Sequence, residues 1–377
     1  MTQQMEWIEG YILTPQGFVR GRLQQQNGRI SAIDGQAVSE AEARHGDQSL
    51  PLLLPGFIDL HVHGGGGRDT MEGGDAGHTL ARLHVQHGTT SLLATTMTAP
   101  LDEIRSALSA LGPLCRQRAP GSARVLGVHL EGPYINRGKL GAQPDFARTA
   151  SLDEVRALHA LAPILLITLA PEVPGLLELI RPLREAGFQV QLGHTAGTYE
   201  DGVAALAQGA SGFTHLFNAM TGLHHRDPGM VGAALAHARY AEIIPDLLHV
   251  HAGALRVALR AIPCLYCVTD STAAAGMPDG DYRLGRHTVT KCLGGVRLAD
   301  GTLAGSTLTM DQALRNLVGL GLEIEDASRR VSSYAADYLG VSDRGQLAVG
   351  AWADLVVLNR DLQLQRVIVE GEEIELN

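Results

Sequence analysis

The sequence predicts a (β/α)8 TIM-like barrel with a small β-sandwich built from both termini, on three observations. From Gly56 onward, short β-rich runs alternate eight times with longer stretches of helical periodicity. The two ends of the chain carry short strands and turns instead. Ionisable side chains, mostly imidazoles, recur where the β-rich runs end, which is where such a barrel gathers its functional groups. A chain of 377 residues, 45% hydrophobic and 19% charged, is long enough to bury that core.

Residues 1–54 read as short strands, with Tyr11-Ile12-Leu13, Phe18 to Leu23 and Gly28-Arg29-Ile30 the clearest. The eight barrel strands are expected at Phe57 to Val62, Thr90 to Thr96, Val125 to Leu130, Ile164 to Leu169, Phe188 to Leu192, Gly212 to Leu216, Ile243 to Val250 and Cys264 to Thr269. Helical stretches separate them: Asp75 to Gln86, Leu101 to Arg118, Leu152 to Leu161, Gly175 to Ala186, Tyr199 to Gln208 and Ala254 to Ala261. Gly88, Gly187 and Gly209 follow three of these and suit helix ends. Gly280 to Gly305 reads as a hairpin insertion, and Ser306 to Leu320 with Ala327 to Leu339 as closing helices. The tail, Ala353 to Leu358 and Gln365 to Val369, is again strand-like. Neither end has enough strands for a core, so residues 1–54 and 345–377 are expected to pair as one β-sandwich beside a catalytic barrel over 55–344.

Composition removes several functions. A formal charge of −10 without a basic stripe argues against nucleic acid as a partner. There is no charged-then-apolar leader and no apolar run of about 18 residues, so no membrane association is expected and the chain reads as cytoplasmic. Cys115, Cys264, Cys267 and Cys292 are too few and scattered for a disulfide framework. Cys264 and Cys267, inside an apolar run, read as small buried side chains.

The functional residues follow from the strand ends. His61 and His63 close the first strand; side chains two apart on a strand point the same way. Two imidazoles at the end of an otherwise apolar strand call for hydrogen bonds or a metal. The third strand runs through His129 into Glu131, the fifth ends at His194, the sixth contains His215 and the eighth ends at Asp270. This nitrogen-and-oxygen set suits zinc or another divalent first-row metal and excludes a thiolate site. Asp270 would ligate, or accept a proton from a water that the cation has acidified. His78, His84 and His87, on the first helix, read as surface residues.

The segments Pro55 to Gly64, His129-Leu130-Glu131-Gly132-Pro133-Tyr134, Gly193-His194-Thr195, Thr214 to Met220 and Val268-Thr269-Asp270 resemble the amidohydrolase superfamily, and within it the N-acetylglucosamine-6-phosphate deacetylase family. The resemblance spans the whole chain. It implies that Glu131, His194 and His215 hold the main metal, that His61 and His63 hold a second one with Glu131 bridging, and that Asp270 is catalytic. One or two divalent ions, zinc first, are implied, and two are favoured because both histidines are present. Asn218 and Ala219 match contacts to sugar or phosphate, and His249 matches a further such contact. Arg226 matches a phosphate-binding arginine contributed across a homodimer interface, into the neighbouring subunit's site. An arginine fork suits a phosphate monoester, although a solvated loop charge is the alternative for Arg226. Where many members have Lys-Gly-Ala-His, whose histidine holds the acetamide, this chain has Lys139-Leu140-Gly141-Ala142-Gln143. Gln143 can donate a hydrogen bond to substrate but cannot carry a proton.

The implied reaction is hydrolysis of the N-acetyl amide of N-acetyl-D-glucosamine 6-phosphate to glucosamine 6-phosphate and acetate, a step of amino-sugar catabolism. N-acetylgalactosamine 6-phosphate is the alternative substrate, since no motif reads the one hydroxyl that differs. A cyclic imide or dipeptide substrate fits less well, because no lysine stands at a strand terminus. A silent scaffold would be marked by lost ligands, and none is lost.

Overall fold

The computed structural model describes residues 7–376. In chain order its strands are β1 (Trp7–Thr14), β2 (Gly17–Gln26), β3 (Arg29–Ala37), β4 (Leu52–Pro55) and then eight barrel strands. These are β5 (Phe57–Val62), β6 (Thr89–Thr95), β7 (Arg124–Glu131), β8 (Ile164–Leu169), β9 (Gln189–Leu192), β10 (Gly212–Phe213), β11 (Tyr240–Ile243) and β12 (Cys264–Cys267). A three-stranded antiparallel insertion follows, β13 (Gly280–Leu284), β14 (His287–Cys292) and β15 (Gly295–Arg297). The last strands are β16 (Leu355–Leu358), β17 (Leu364–Val369) and β18 (Glu372–Ile374).

Strands β5 to β10 pair in parallel, in sequence order. Every residue of β5 and β6 is buried, as expected of parallel strands covered on both faces. Strands β11 and β12 pair with each other. The two groups are joined by Leu216 N–H donating to Glu242 O at 2.9 Å, and by Asp270 N–H donating to His61 O at 2.9 Å. The barrel therefore closes where the candidate residues lie. Helices on the outside lay apolar stripes against it, such as Leu176, Ile180 and Leu183 of α1 (Leu176–Glu185). The next helix, α2 (Tyr199–Ala207), starts at a capping box of Thr198 and Asp201.

Three strands differ from expectation by more than one residue, the eighth among them, which ends at Cys267 and not Thr269. The sixth was expected to reach Leu216 and stops at Phe213, because His215 (φ 28°) and Phe217 (φ 81°) leave extended backbone. The seventh was expected over Ile243 to Val250 and is Tyr240–Ile243; Pro245 has no N–H for a ladder and Leu247 has a φ of 67°. The first closing helix begins at Met310, not Ser306. Ser306 instead joins the end of the eighth strand, its N–H donating to Asp270 O at 2.7 Å and its carbonyl accepting from Thr272 N–H at 3.0 Å.

The strands of the two ends form one seven-stranded sheet, in the order β18-β17-β16-β4-β1-β2-β3, so the sandwich is a single sheet and not two. It curls until its far ends meet: Gln25 Nε2 donates to Gly371 O at 3.0 Å and Ala353 N–H to Gly28 O at 2.8 Å. Ile12, Leu23, Ile30, Leu53, Leu355 and Ile368 fill the core of this curl. The opposite face, including Leu52, Leu54, Val356 and Val367, joins the barrel core. Among the described residues no helix is long and apolar enough to cross a membrane.

Candidate active site

Six side chains from five strand ends meet at the barrel mouth. Glu131 lies between two imidazole pairs. Its Oε1 is 3.1 Å from both His194 Nε2 and His215 Nε2, which are 3.1 Å from each other. Its Oε2 is 3.1 Å from His63 Nε2 and 3.5 Å from His61 Nε2, and those two nitrogens are 3.2 Å apart. Asp270 Oδ1 completes the second group at 3.4 Å from His63 Nε2 and 3.5 Å from His61 Nε2. All six residues are buried.

The backbone turns these side chains inward. His194 (φ 47°), His215 and Asp270 (φ 49°) take left-handed conformations, uncommon for such residues and costing about 1–3 kcal/mol each. Gly193 before His194 has a steric reason: a Cβ there would stand 2.7 Å from Thr214 Cβ and 2.9 Å from Thr168 Cγ2. Asp59 ties the first strand to the eighth, its Oδ1 accepting from His61 N–H and Thr269 N–H, both at 3.2 Å, and its Oδ2 from the Thr269 hydroxyl at 2.6 Å. Burial, partly offset by these donors, pushes the Asp59 carboxyl up to about 7.

The donor set fits a divalent cation. In tetrahedral coordination at zinc–nitrogen distances, ligand atoms lie about 3.3 Å apart, and both groups have that spacing. His194 Nδ1–H donates to Lys139 O at 2.8 Å, which leaves Nε2 as a lone pair aimed at Glu131 and His215. One cation among these three atoms, 3.1 Å from one another, would take a lone pair from each. Burial opposes charge on His61, but Glu131, Asp270 and Glu242 together hold it well above the ordinary imidazole range. Burial likewise opposes ionisation of Glu131, and the facing His61 and His194 drive it well below the usual carboxylate range. Such a pocket favours positive charge. His61, His129 and Glu242 also lie close together. They do not make a third ion site, because His129 spends Nδ1 on Leu60 O (3.2 Å) and Nε2 on Thr168 Oγ1 (2.7 Å).

Above the two groups is a cavity of about 340 Å3, bounded on the insertion side by Leu284, Thr302 and Leu303. Gln143, Asn218, Ala219 and His249 line it, as does Lys139, which sequence reading passed over. Gln143 differs from expectation: its Oε1 accepts from Thr98 N–H at 2.7 Å, so its Nε2 donates to Glu131 Oε2 at 2.6 Å. One of its amide hydrogens is thus taken by Glu131. His249 lies on a loop, not a strand, with Nδ1 2.7 Å from Asp246 Oδ2. Although burial opposes it, Asp246 raises the His249 pKa above the ordinary value. His251 instead caps a helix, accepting from Gly253 N–H. Arg226 is not brought to this cavity; it is exposed, with Nη1 2.8 Å from His225 Nε2.

Two other expectations are corrected. His84 is fully buried, not a surface residue, because the first barrel helix in sequence (Ala76–Val85) turns it toward the strand ends; its Nε2 is 3.0 Å from Gly64 O and 3.1 Å from Ser271 Oγ. Cys267 is buried but Cys264 only partly so, since residues three apart on a strand face opposite ways. Sequence reading missed Glu242, a fully buried carboxylate inside an apolar strand; starting that strand at Ile243 left out the one residue that made it unusual.

The amidohydrolase family model matches residues 52–374. The N-acetylgalactosamine-6-phosphate deacetylase of Escherichia coli O157:H7 is 40% identical over 376 residues, covering 96% of this chain and 97% of that protein. The N-acetylglucosamine-6-phosphate deacetylase of Vibrio furnissii is 40% identical over 361 residues, covering 92% and 88%. Among solved structures, a mutant N-acetyl-D-glucosamine-6-phosphate deacetylase of Mycobacterium smegmatis in complex with N-acetyl-D-glucosamine-6-phosphate superposes with a TM-score of 0.89 at 33% identity, covering 97% of this chain and 98% of that one.

Proposed function

The chain belongs to the amidohydrolase family, and we propose that it deacetylates N-acetyl-D-glucosamine 6-phosphate, releasing acetate and glucosamine 6-phosphate. It is a metal-dependent hydrolase of carbon–nitrogen bonds. The observation that carries the proposal is Glu131, which presents one oxygen to each of two imidazole pairs, with Asp270 beside the second pair. That arrangement favours two divalent ions, zinc first, with Glu131 between them. Such ions polarise the amide carbonyl and acidify water.

The chain's own residues do the rest. Asp270 takes the proton of the attacking water at a carboxylate oxygen and returns it to the leaving nitrogen. Gln143 holds Glu131 with one amide hydrogen and has a second for the substrate carbonyl. Leu284 and Leu303 exclude bulk water from the cavity. Asn218, the Ala219 backbone and His249 orient the sugar phosphate, so that remote binding energy aligns the amide. Arg226, exposed on its own subunit, reaches the phosphate in a partner's site, which makes the working form a homodimer. The four free cysteines support a reducing, cytoplasmic setting.

Deacetylation of N-acetylgalactosamine 6-phosphate is the second reading, because a relative of that name shares 40% identity over nearly the whole chain. The deciding experiment is acetate release from both sugar phosphates and from unphosphorylated N-acetylglucosamine, with bound metal counted on the same sample. Highest kcat/KM on N-acetylglucosamine 6-phosphate is expected; preference for the galactosamine epimer selects the second reading. Inactivity on all three with metal bound would sink both.

A further inference from the structure

We propose that Glu242 is the positioning residue of the second metal site, fixing the proton of His61 on Nδ1 so that His61 Nε2 offers a lone pair to the cation. The inference rests on the two-ion reading above. Glu242 lies on β11 between Ala241 and Ile243 and is fully buried. A buried carboxylate needs hydrogen-bond donors or an opposing charge. Here three donors converge on it. Oε2 accepts from His61 Nδ1–H at 3.0 Å and from His215 N–H at 3.3 Å, and Oε1 accepts from the Tyr266 hydroxyl at 3.4 Å.

The direction of these bonds decides the tautomer. A backbone amide can only donate, so Glu242 Oε2 stands as an acceptor toward His215, and His61 Nδ1 lies 3.0 Å from that same oxygen. His61 must therefore keep its hydrogen on Nδ1. Its Nε2, where a cation would take the place of a second proton, faces His63 Nε2 at 3.2 Å, Asp270 Oδ1 at 3.5 Å and Glu131 Oε2 at 3.5 Å, the donor set of the second site. With the hydrogen on Nε2 instead, His61 would point an N–H at the space the cation needs. Glu242 also grips the other group, through the backbone of His215, so one carboxylate positions a ligand of each. A purely structural role, joining strand six to strand eight through His215 and Tyr266, predicts lost stability with no selective change at one ion.

Three proteins separate these roles: the wild type, Glu242→Gln and Tyr266→Phe. Glutamine keeps an oxygen for the His215 amide but lacks the charge that holds the His61 proton. Each is stripped of metal and titrated with zinc against a competing chelator, and the ring nitrogens of 15N-histidine are read by NMR in the zinc-loaded samples. The wild type is expected to bind two ions with the His61 proton on Nδ1. Glu242→Gln is expected to keep the ion at Glu131, His194 and His215 and to bind the other about 10- to 100-fold more weakly. Tyr266→Phe should keep two ions at wild-type affinity. Two ions of unchanged affinity in Glu242→Gln overturn the role of Glu242 and leave the two-ion reading standing. A single ion in the wild type overturns that reading and this role with it. If Glu242→Gln does not fold, Glu242→Asp, which keeps the carboxylate but draws it back by one methylene, decides: weaker binding of the second ion alone supports the role, and two ions at wild-type affinity overturn it.

Discussion

Asp270 holds its carboxylate 3.4 Å from His63 Nε2 and 3.5 Å from His61 Nε2, within reach of a cation's water and of the cavity above. Asparagine has the same shape without the basicity. Asp270→Asn should therefore bind metal in wild-type amount and lose turnover by about 10²- to 10⁴-fold; metal analysis and acetate release check it, and near-normal kcat would remove Asp270 as the proton carrier. His84 shows what burial does to an imidazole that, unlike His61, has no carboxylates around it. Burial pushes its pKa down to about 4, with Gly64 O partly opposing the shift. The unfolded chain takes up a proton near 6.5 that the folded one refuses, so this contribution to stability is whole above about 6.5 and is lost as pH falls toward 4. The full loss is about 3 kcal/mol. Urea unfolding at pH 7.5 and pH 5 should show a smaller drop for His84→Gln than for the wild type; equal drops would mean that the pH sensitivity lies elsewhere. Sequence could not tell these histidines apart, because the distinction lies in which neighbours the fold supplies.

Among the elements, the strands were legible in proportion to their continuity. The apolar runs of β5 and β8 have the bounds expected from sequence, since a fully buried parallel strand is apolar at every position. The sixth and seventh strands were not, because positive φ values and Pro245 end them by local geometry. The insertion β13–β15 was legible as a hairpin, but not its place over the cavity. Leu284 of β13 is buried against Met97, Val289, Val296 and Ala304 and lines the cavity. Leu284→Ala should cost about 2–3 kcal/mol and raise KM more than it lowers kcat, with metal content unchanged. Thermal unfolding and steady-state kinetics test this, and an unaltered KM would separate the insertion from substrate binding.

For the whole molecule, the joint between the terminal sheet and the barrel centres on Glu370. Its carboxylate accepts from Arg118 at 3.2 Å, from Arg124 at 2.7 and 3.0 Å, and from Arg344 at 2.5 Å, while Arg344 also pairs with Asp354. Arg118 precedes the third barrel strand and Arg124 begins it, so this cluster clamps the sheet to the start of that strand. Burial alone would raise the Glu370 pKa, but Arg124 and Arg344 pull it down to about 2. Its contribution is present above about 4.5 and lost as pH falls toward 2. Glu370→Ala should destabilise the protein by about 3 kcal/mol without changing metal stoichiometry; a melting temperature equal to wild type would show that the apolar face of the sheet suffices. None of these partners was legible, since they lie up to 252 residues apart in the chain. By itself the sequence determined the barrel, the pairing of the two ends and the convergence of His61, His63, Glu131, His194, His215 and Asp270, because strand periodicity and the barrel's geometry bring strand ends together wherever they fall in the chain. Only the tertiary structure decided that Gln143 orients Glu131, that Glu242 stands behind His61 and that Arg226 points away from its own cavity. Those are matters of which buried donor finds which acceptor, and long-range packing sets them.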